Sequence, residues 1–284
     1  MNPTNTTLTS SSPANVRQKA LIAGFNATLL YVLAYLTATT VYQLATVLTA
    51  KSLGIPGTWG LGKVFFRISD GEWWQTAVLA VYSAGPLSCL LLGAGAGLWF
   101  WWRARRQRGL FKQFLFWLTL HGCNLFFGAL VADTFTESGF WFVPGWLFMA
   151  GPIPGALLAG LFGLIQLALG YFAGMLFLQS HDSISLMKFP NRRLLLVSTL
   201  YVPWLAGSAL IGLLKWPELT HNEQLHFATL LLLLAPLTLA AANELFEFTL
   251  ESPQKTRVAW GLAGVALLLL LVLRVVLGSG LSFS

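Results

Sequence analysis

The sequence predicts an all-α fold, a polytopic transmembrane helical bundle of about seven spans. Three observations predict it. Of 284 residues, 56% are hydrophobic and only 10% are charged, against roughly 25% charged in an ordinary soluble domain. Long stretches lack Asp, Glu, Lys and Arg altogether, and the basic residues gather in alternate connections between them. A soluble domain of about 300 residues still leaves roughly a quarter of its chain surface in water, so it could not hide this much apolar surface. That excludes a soluble enzyme, a disordered protein and a nucleic-acid module.

The charge-free runs cover 20–50, 73–102, 113–132, 138–180, 194–214, 224–243 and 258–273. A span needs about 20 apolar residues, and a charge at its centre costs roughly 2.5–3.5 kcal/mol. The fourth run is too long for one helix. It divides into an interfacial or re-entrant piece, Phe140–Pro154, and a span, Gly155–Gln179. The last run extends to about Gly278 because Arg274 can snorkel to the headgroups. Residues 1–17 read as a disordered polar tail without the charged start and cleavage site of a signal peptide. The remainder divides into a core, 18–180, and additional C-terminal helices, 181–284.

The net charge of +7 has a topological cause. Arg17 and Lys19 precede the first span, and Arg103, Arg105, Arg106, Arg108 and Lys112 separate the second from the third. Lys188, Arg192 and Arg193 precede the fifth, and Lys255 and Arg257 the seventh. The positive-inside rule then puts the N-terminus in the cytoplasm and the protein in an inner or plasma membrane. The Arg103–Lys112 cluster is also a candidate lipid-headgroup site, although topology alone accounts for it.

Cys89 and Cys123 both fall inside spans, so neither a disulfide framework nor a cysteine zinc site is expected. The glycines of 93–97 and 151–174 suit close helix packing. His121 lies mid-span and is expected to bond a neighbouring helix. His221 and His226 are five residues apart, on different helical faces, which is not the HExxH zinc arrangement. His181, beside Asp182 at a span end, is expected to be solvated. Glu244, Glu247 and Glu251 share one helical face, read as a wetted helix end. Asp70 and Glu72 flank Gly71 in a turn, and Trp73 and Trp74 mark a membrane interface.

One stretch is more informative: Val41-Tyr42-Gln43-Leu44-Ala45-Thr46-Val47-Leu48-Thr49-Ala50-Lys51-Ser52-Leu53-Gly54-Ile55. It resembles the first motif region of the site-2 protease family of intramembrane zinc metalloproteases, where HELGH precedes a small-residue helix ending near Leu-Gly-Ile. Tyr82-Ser83-Ala84-Gly85-Pro86-Leu87 is similar to the Gly-Pro turn of that family's next span. Asn124 and Asp133 echo its third motif, in which an Asn precedes a zinc-binding Asp. The resemblance covers roughly residues 20–180. It also departs from the family at each chemical position. Tyr42 and Thr46 stand where the family has its zinc-binding His residues, and Gln43 where it has the Glu that activates water. Asp133 is followed by Thr134 instead of Gly, and the third motif lacks its Pro.

The resemblance therefore implies a catalytically inactive pseudoprotease core, without metal or other cofactor, which still holds transmembrane segments of other proteins. Its remnant site would comprise Tyr42, Gln43, Thr46, Asn124 and Asp133, with Gly85 and Pro86 in the turn. Gln43, His121, Asn124 and Asp133 would line the cleft, and Gln43 or Thr46 would approach Asn124 or Asp133 closely enough for a direct or water-mediated hydrogen bond. Partners would be the lipid bilayer and transmembrane segments, and no nucleic acid. Two alternatives come from other classes. The Gly151-Pro152-Ile153-Pro154-Gly155 break would suit a transporter or channel, and the histidines a membrane enzyme acting on lipid or quinone.

Overall fold

The computed structural model describes residues 13–107, 109–148, 152–243 and 256–284. Among these residues seven helices are long and apolar enough to cross a membrane: α1 (Ala14–Ser52), α2 (Gln75–Trp102), α3 (Phe111–Thr136), α4 (Ile153–Gln179), α5 (Phe189–Lys215), α6 (His221–Ala241) and α7 (Trp260–Gly278). Each begins and ends within several residues of a charge-free run, because in lipid only a helix satisfies every backbone group internally. The chain is a multi-pass membrane protein. Gly139–Phe148 forms a shorter apolar helix between α3 and α4, where the interfacial or re-entrant piece was expected. Residues 1–12 of the polar tail, Arg108, Gly151, Glu244, Glu247, Glu251 and Lys255 lie outside the described residues, and 14–17 are already helical.

Seven crossings put the connections at two ends. One end holds Trp102–Phe111 and Gln179–Phe189; the other holds a small sheet and the α5–α6 turn. In that sheet β1 (Gly57–Trp59) pairs antiparallel with β2 (Val64–Phe66) and with β3 (Leu281–Phe283), giving the order β2-β1-β3. The register sets Gly57 opposite both Phe66 and Phe283. The last strand thus ties the C-terminus to the connection following α1.

The core joins N- and C-terminal helices. Tyr31, Trp117, Phe100, Phe177, Leu195 and Leu234 are fully buried in one cluster. Tyr31 of α1 meets the Trp117 ring edge-on at 5.0 Å and hydrogen-bonds Ser208 of α5 at 2.7 Å. Helices α2 and α3 cross at Gly93 and Gly122, so closely that a Cβ on Gly122 would lie 2.6 Å from the Cys89 carbonyl oxygen. Gly170 and Gly174 similarly admit α6 against α4. Small residues serve packing here, as expected. Gly95 faces open space. Both cysteines are free thiols.

Candidate functional site

At the sheet end the helices enclose a cavity of about 510 Å³. Tyr35, Thr39, Tyr42, Gln43 and Thr46 line it from α1, at spacings that select one helical face. The β1–β2 hairpin contributes Lys63, Phe65 and Phe66; α2 contributes Tyr82, and the turn before it Asp70 and Trp73. Asp133 enters from α3, Lys215 from α5, and Asn222, Glu223 and His226 from α6.

Asp133 is the anchor of the polar wall. It is 1% exposed, near the end of α3 instead of in surrounding water. Helix α3 stops there because Glu137 adopts a left-handed conformation (φ 47°) and Gly139 another (φ 58°), the usual geometry of a helix C-terminus. The reversal delivers the Phe140 N–H to Asp133 Oδ2 at 2.6 Å. Space for it exists because a Cβ on Gly139 would lie 2.5 Å from that oxygen. On the other side, Asn222 Nδ2 donates to Oδ1 at 2.7 Å and His226 Nε2 lies 3.0 Å from the same atom. Asn222 and His226 are four residues apart, hence on one face of α6. Thr136 donates to Asn222 Oδ1 at 3.2 Å.

The start of α6 is fixed by a capping box, Thr220 with Glu223, in which each residue's backbone N–H meets the other's side chain at 3.2 Å. Glu223 also forms an ion pair with Lys215, which is 2% exposed and donates to the Tyr35 hydroxyl at 3.4 Å. Outside the spans, the Ser69 backbone N–H and hydroxyl hold the Glu72 carboxyl below its usual range.

The remnant-site residues share this region but not in the expected pairing. Gln43 accepts from Trp59 Nε1 at 2.7 Å and donates to the Gly62 carbonyl at 2.9 Å, so it clamps the hairpin. Thr46 donates back to the Tyr42 carbonyl at 3.0 Å. Neither forms a direct hydrogen bond to Asn124 or Asp133. The reason lies in α3. Nine residues make about two and a half helical turns, which separates Asn124 from Asp133 around the axis, with a π-helical turn at Asn124–Gly128 between them. Asn124 consequently faces away from the cavity lining. It donates to the His226 carbonyl at 2.8 Å and accepts from Gln166 at 2.8 Å and Thr229 at 3.2 Å, joining α3, α4 and α6.

Other expectations are also corrected. His121 does not line the cavity. It is enclosed by Tyr31, Tyr35 and Trp117, with its polar contact to the Tyr31 backbone and none at Nε2. Gly85 and Pro86 form no turn; both lie within the continuous helix α2. Gly85 matters by its missing side chain, because a Cβ would lie 2.7 Å from the Tyr42 ring and 2.9 Å from Thr46 Oγ1. His181 is buried, not solvated, at 4% exposure. His226 belongs to α6.

Lys215, Asn222, Glu223 and Trp59 were missed as site residues. The Thr-x-x-Glu capping signature at Thr220 was legible and would have placed Asn222 and His226 on one face. Among the described residues no three His, Cys, Asp or Glu side chains converge to hold a metal ion. Comparison of the chain with family models, curated proteins and solved structures finds no match.

Proposed function

We propose that this multi-pass protein has a site-2-protease-like core that performs no zinc-dependent proteolysis. Its sheet-end cavity receives a segment of another membrane protein and holds it uncut, with the N-terminus of the chain in the cytoplasm. The observation that carries the reading is the position of Gln43. It occupies the place of the family's catalytic Glu and lines the cavity with Tyr42, Thr46 and Asp133, yet both ends of its amide are committed to the hairpin. A neutral amide engaged in this way has no proton-accepting role to offer. Strand β2 lies at the sheet edge and lines the same cavity, and an edge strand offers unpaired backbone groups to an extended guest.

A photo-crosslinker replacing Phe65 in the full-length chain, in its own membrane, tests this. Adducts with membrane-protein segments, diminished by the cavity-filling Thr46→Trp and uncut at the adduct, are expected. Adducts with lipid alone, or zinc-dependent cleavage of a reconstituted transmembrane peptide, would overturn the proposal. Reporter fusions at Gln107 and Thr220 should fall on opposite sides of the membrane, with Gln107 cytoplasmic.

A further inference from the structure

The charges lining the cavity do not cancel. Lys215 and Glu223 neutralise one another in a buried pair. Lys63 and Asp70 are exposed and of opposite sign, at the rim. Asp133 remains. Both of its oxygens accept hydrogen bonds, Oδ2 from Phe140 N–H and Oδ1 from Asn222, and His226 Nε2 lies 3.0 Å from Oδ1, an arrangement that suits a carboxylate with His226 as a further donor. While His226 is neutral, no cation among the described residues pairs with Asp133.

His226 gives the site a second feature. With Nε2 donating to Asp133, Nδ1 is a lone-pair acceptor. Among the described residues no hydrogen bond is formed there, and the atom is not enclosed, while the residue lines the cavity. The third feature is aromatic. Trp73 meets Phe66 at 5.3 Å and Tyr82 at 5.5 Å, and Tyr82 meets Phe142 at 5.1 Å. These rings line the cavity together with Tyr35 and Tyr42. A cation is attracted to aromatic faces, more so where water is scarce.

We infer that the cavity recognises an organic cation, an ammonium or guanidinium group, with a proton on His226 as its competitor. The inference deepens the guest-binding reading and rests on it: the group is carried either by a Lys or Arg side chain of the guest or by a free amine. Competition follows from position. A proton on Nδ1 turns His226 into an imidazolium that cancels Asp133 and removes the acceptor. The charged and titratable groups sharing the cavity with His226 are Asp133 from α3, Tyr35 and Tyr42 from α1, Lys215 from α5 and Glu223 from α6. Lys63, Asp70 and Tyr82 complete the set. Of these, Asp133 is in direct contact. Binding of a cation should therefore weaken as pH falls, the opposite of what an anion site beside a histidine would show.

The test uses the full chain in nanodiscs, with choline and its neutral isostere 3,3-dimethyl-1-butanol as probes in titration calorimetry at pH 8 and pH 5.5. Choline should bind at least tenfold more tightly than the alcohol at pH 8 and lose about tenfold at pH 5.5. His226→Gln should retain choline binding and lose its pH dependence; Asp133→Asn should lose the preference for charge. A parallel pair of hydrophobic peptides, one bearing a single Lys and the other norleucine in its place, identifies the source. Preference for the Lys peptide assigns the cation to the guest; choline selectivity with no peptide preference assigns it to a free amine. No charge preference in either pair, or a preference unaffected by pH, overturns the inference. In that event, guest adducts at Phe65 would still sustain the guest-binding reading by itself.

Discussion

The two ends of the bundle bury nearly the same chemistry and leave it in different states. At the sheet end stand Asp133, His226, Asn222, Lys215 and Glu223. At the opposite end stand Asp182, His181, Gln113 and Lys112. There, Lys112 pairs with Asp182, whose other oxygen accepts the Gly109 N–H at 2.8 Å. His181 Nδ1 meets Gln113 at 2.8 Å and Nε2 meets Thr199 at 3.3 Å. Thr199 donates its own proton to the Leu195 carbonyl at 2.8 Å, so His181 must donate from Nε2 and accept at Nδ1. Both nitrogens are used, and Phe177 covers the ring at 4.8 Å. His226 has the same donor assignment but an open Nδ1 over a cavity. The difference teaches that residue type is a poor guide to function in a buried cluster. What counts is whether both ring nitrogens of the histidine find partners.

The largest effects expected at either end come from orphaning a buried lysine. Glu223→Ala would leave Lys215 without its counter-charge at 2% exposure, and Asp182→Ala would leave Lys112 without its own at 4%. Each should cost about 3–5 kcal/mol, while replacing both partners by apolar residues of similar volume should be far milder. Thermal unfolding in detergent checks this. If Asp182→Ala cost under about 1 kcal/mol, water would be reaching Lys112 and the contrast between a sealed and an open end would break.

Next come the glycines. Gly122→Val sets side-chain atoms against the α2 backbone and should destabilise by about 1–3 kcal/mol. Gly85→Val meets the Tyr42 ring instead, which has room to swing into the cavity. It should cost less stability and reduce choline or peptide binding. Equal stability losses would show the sheet end to be as tightly packed as the middle.

The pH response separates the two histidines. Burial first, and then the Lys112 positive charge, push His181 down to about 3, against about 6.5 for an unfolded His. The unfolded chain therefore binds more protons below about pH 6.5. Stability is full above that pH and falls by about 1.4 kcal/mol per unit as pH drops toward 3. His181→Gln should flatten the dependence of the melting temperature between pH 7.5 and 5 without altering ligand binding, whereas His226→Gln removes the pH dependence of that binding. The most local effect is expected from Gln43→Leu. It removes the bonds to Trp59 and Gly62, about 1 kcal/mol each, and should appear as faster amide exchange confined to the β1–β2 hairpin.

Legibility followed the length of the signal. The seven spans were readable because each depends on about 20 residues sharing one property, and the exclusion of charge from lipid leaves little freedom. Tyr42, Gln43, Thr46 and Asp133 were singled out by motif order, and they do border one cavity. Asn124 was grouped with Asp133 by motif order, although nine residues of helix already set the two on opposite faces. His181 was judged by its neighbour Asp182, but its burial is set by Phe177 and Thr199, which folding brings to it.

By itself, then, the sequence determined the class: a multi-pass helical bundle, with the ends of its spans and the alternation of its basic connections. Those are one-dimensional properties, fixed by the cost of placing charge and unpaired backbone in hydrocarbon. Only the tertiary structure decided which polar groups face each other. Asp133 and His226 are 93 residues apart and meet at 3.0 Å, while Gln43, nearer to Asp133 in sequence, turns to the hairpin. Helix rotation and crossing set those encounters. They depend on contacts such as Gly85 under Tyr42 and Gly122 against Cys89, which span distant parts of the chain and leave no local pattern to read.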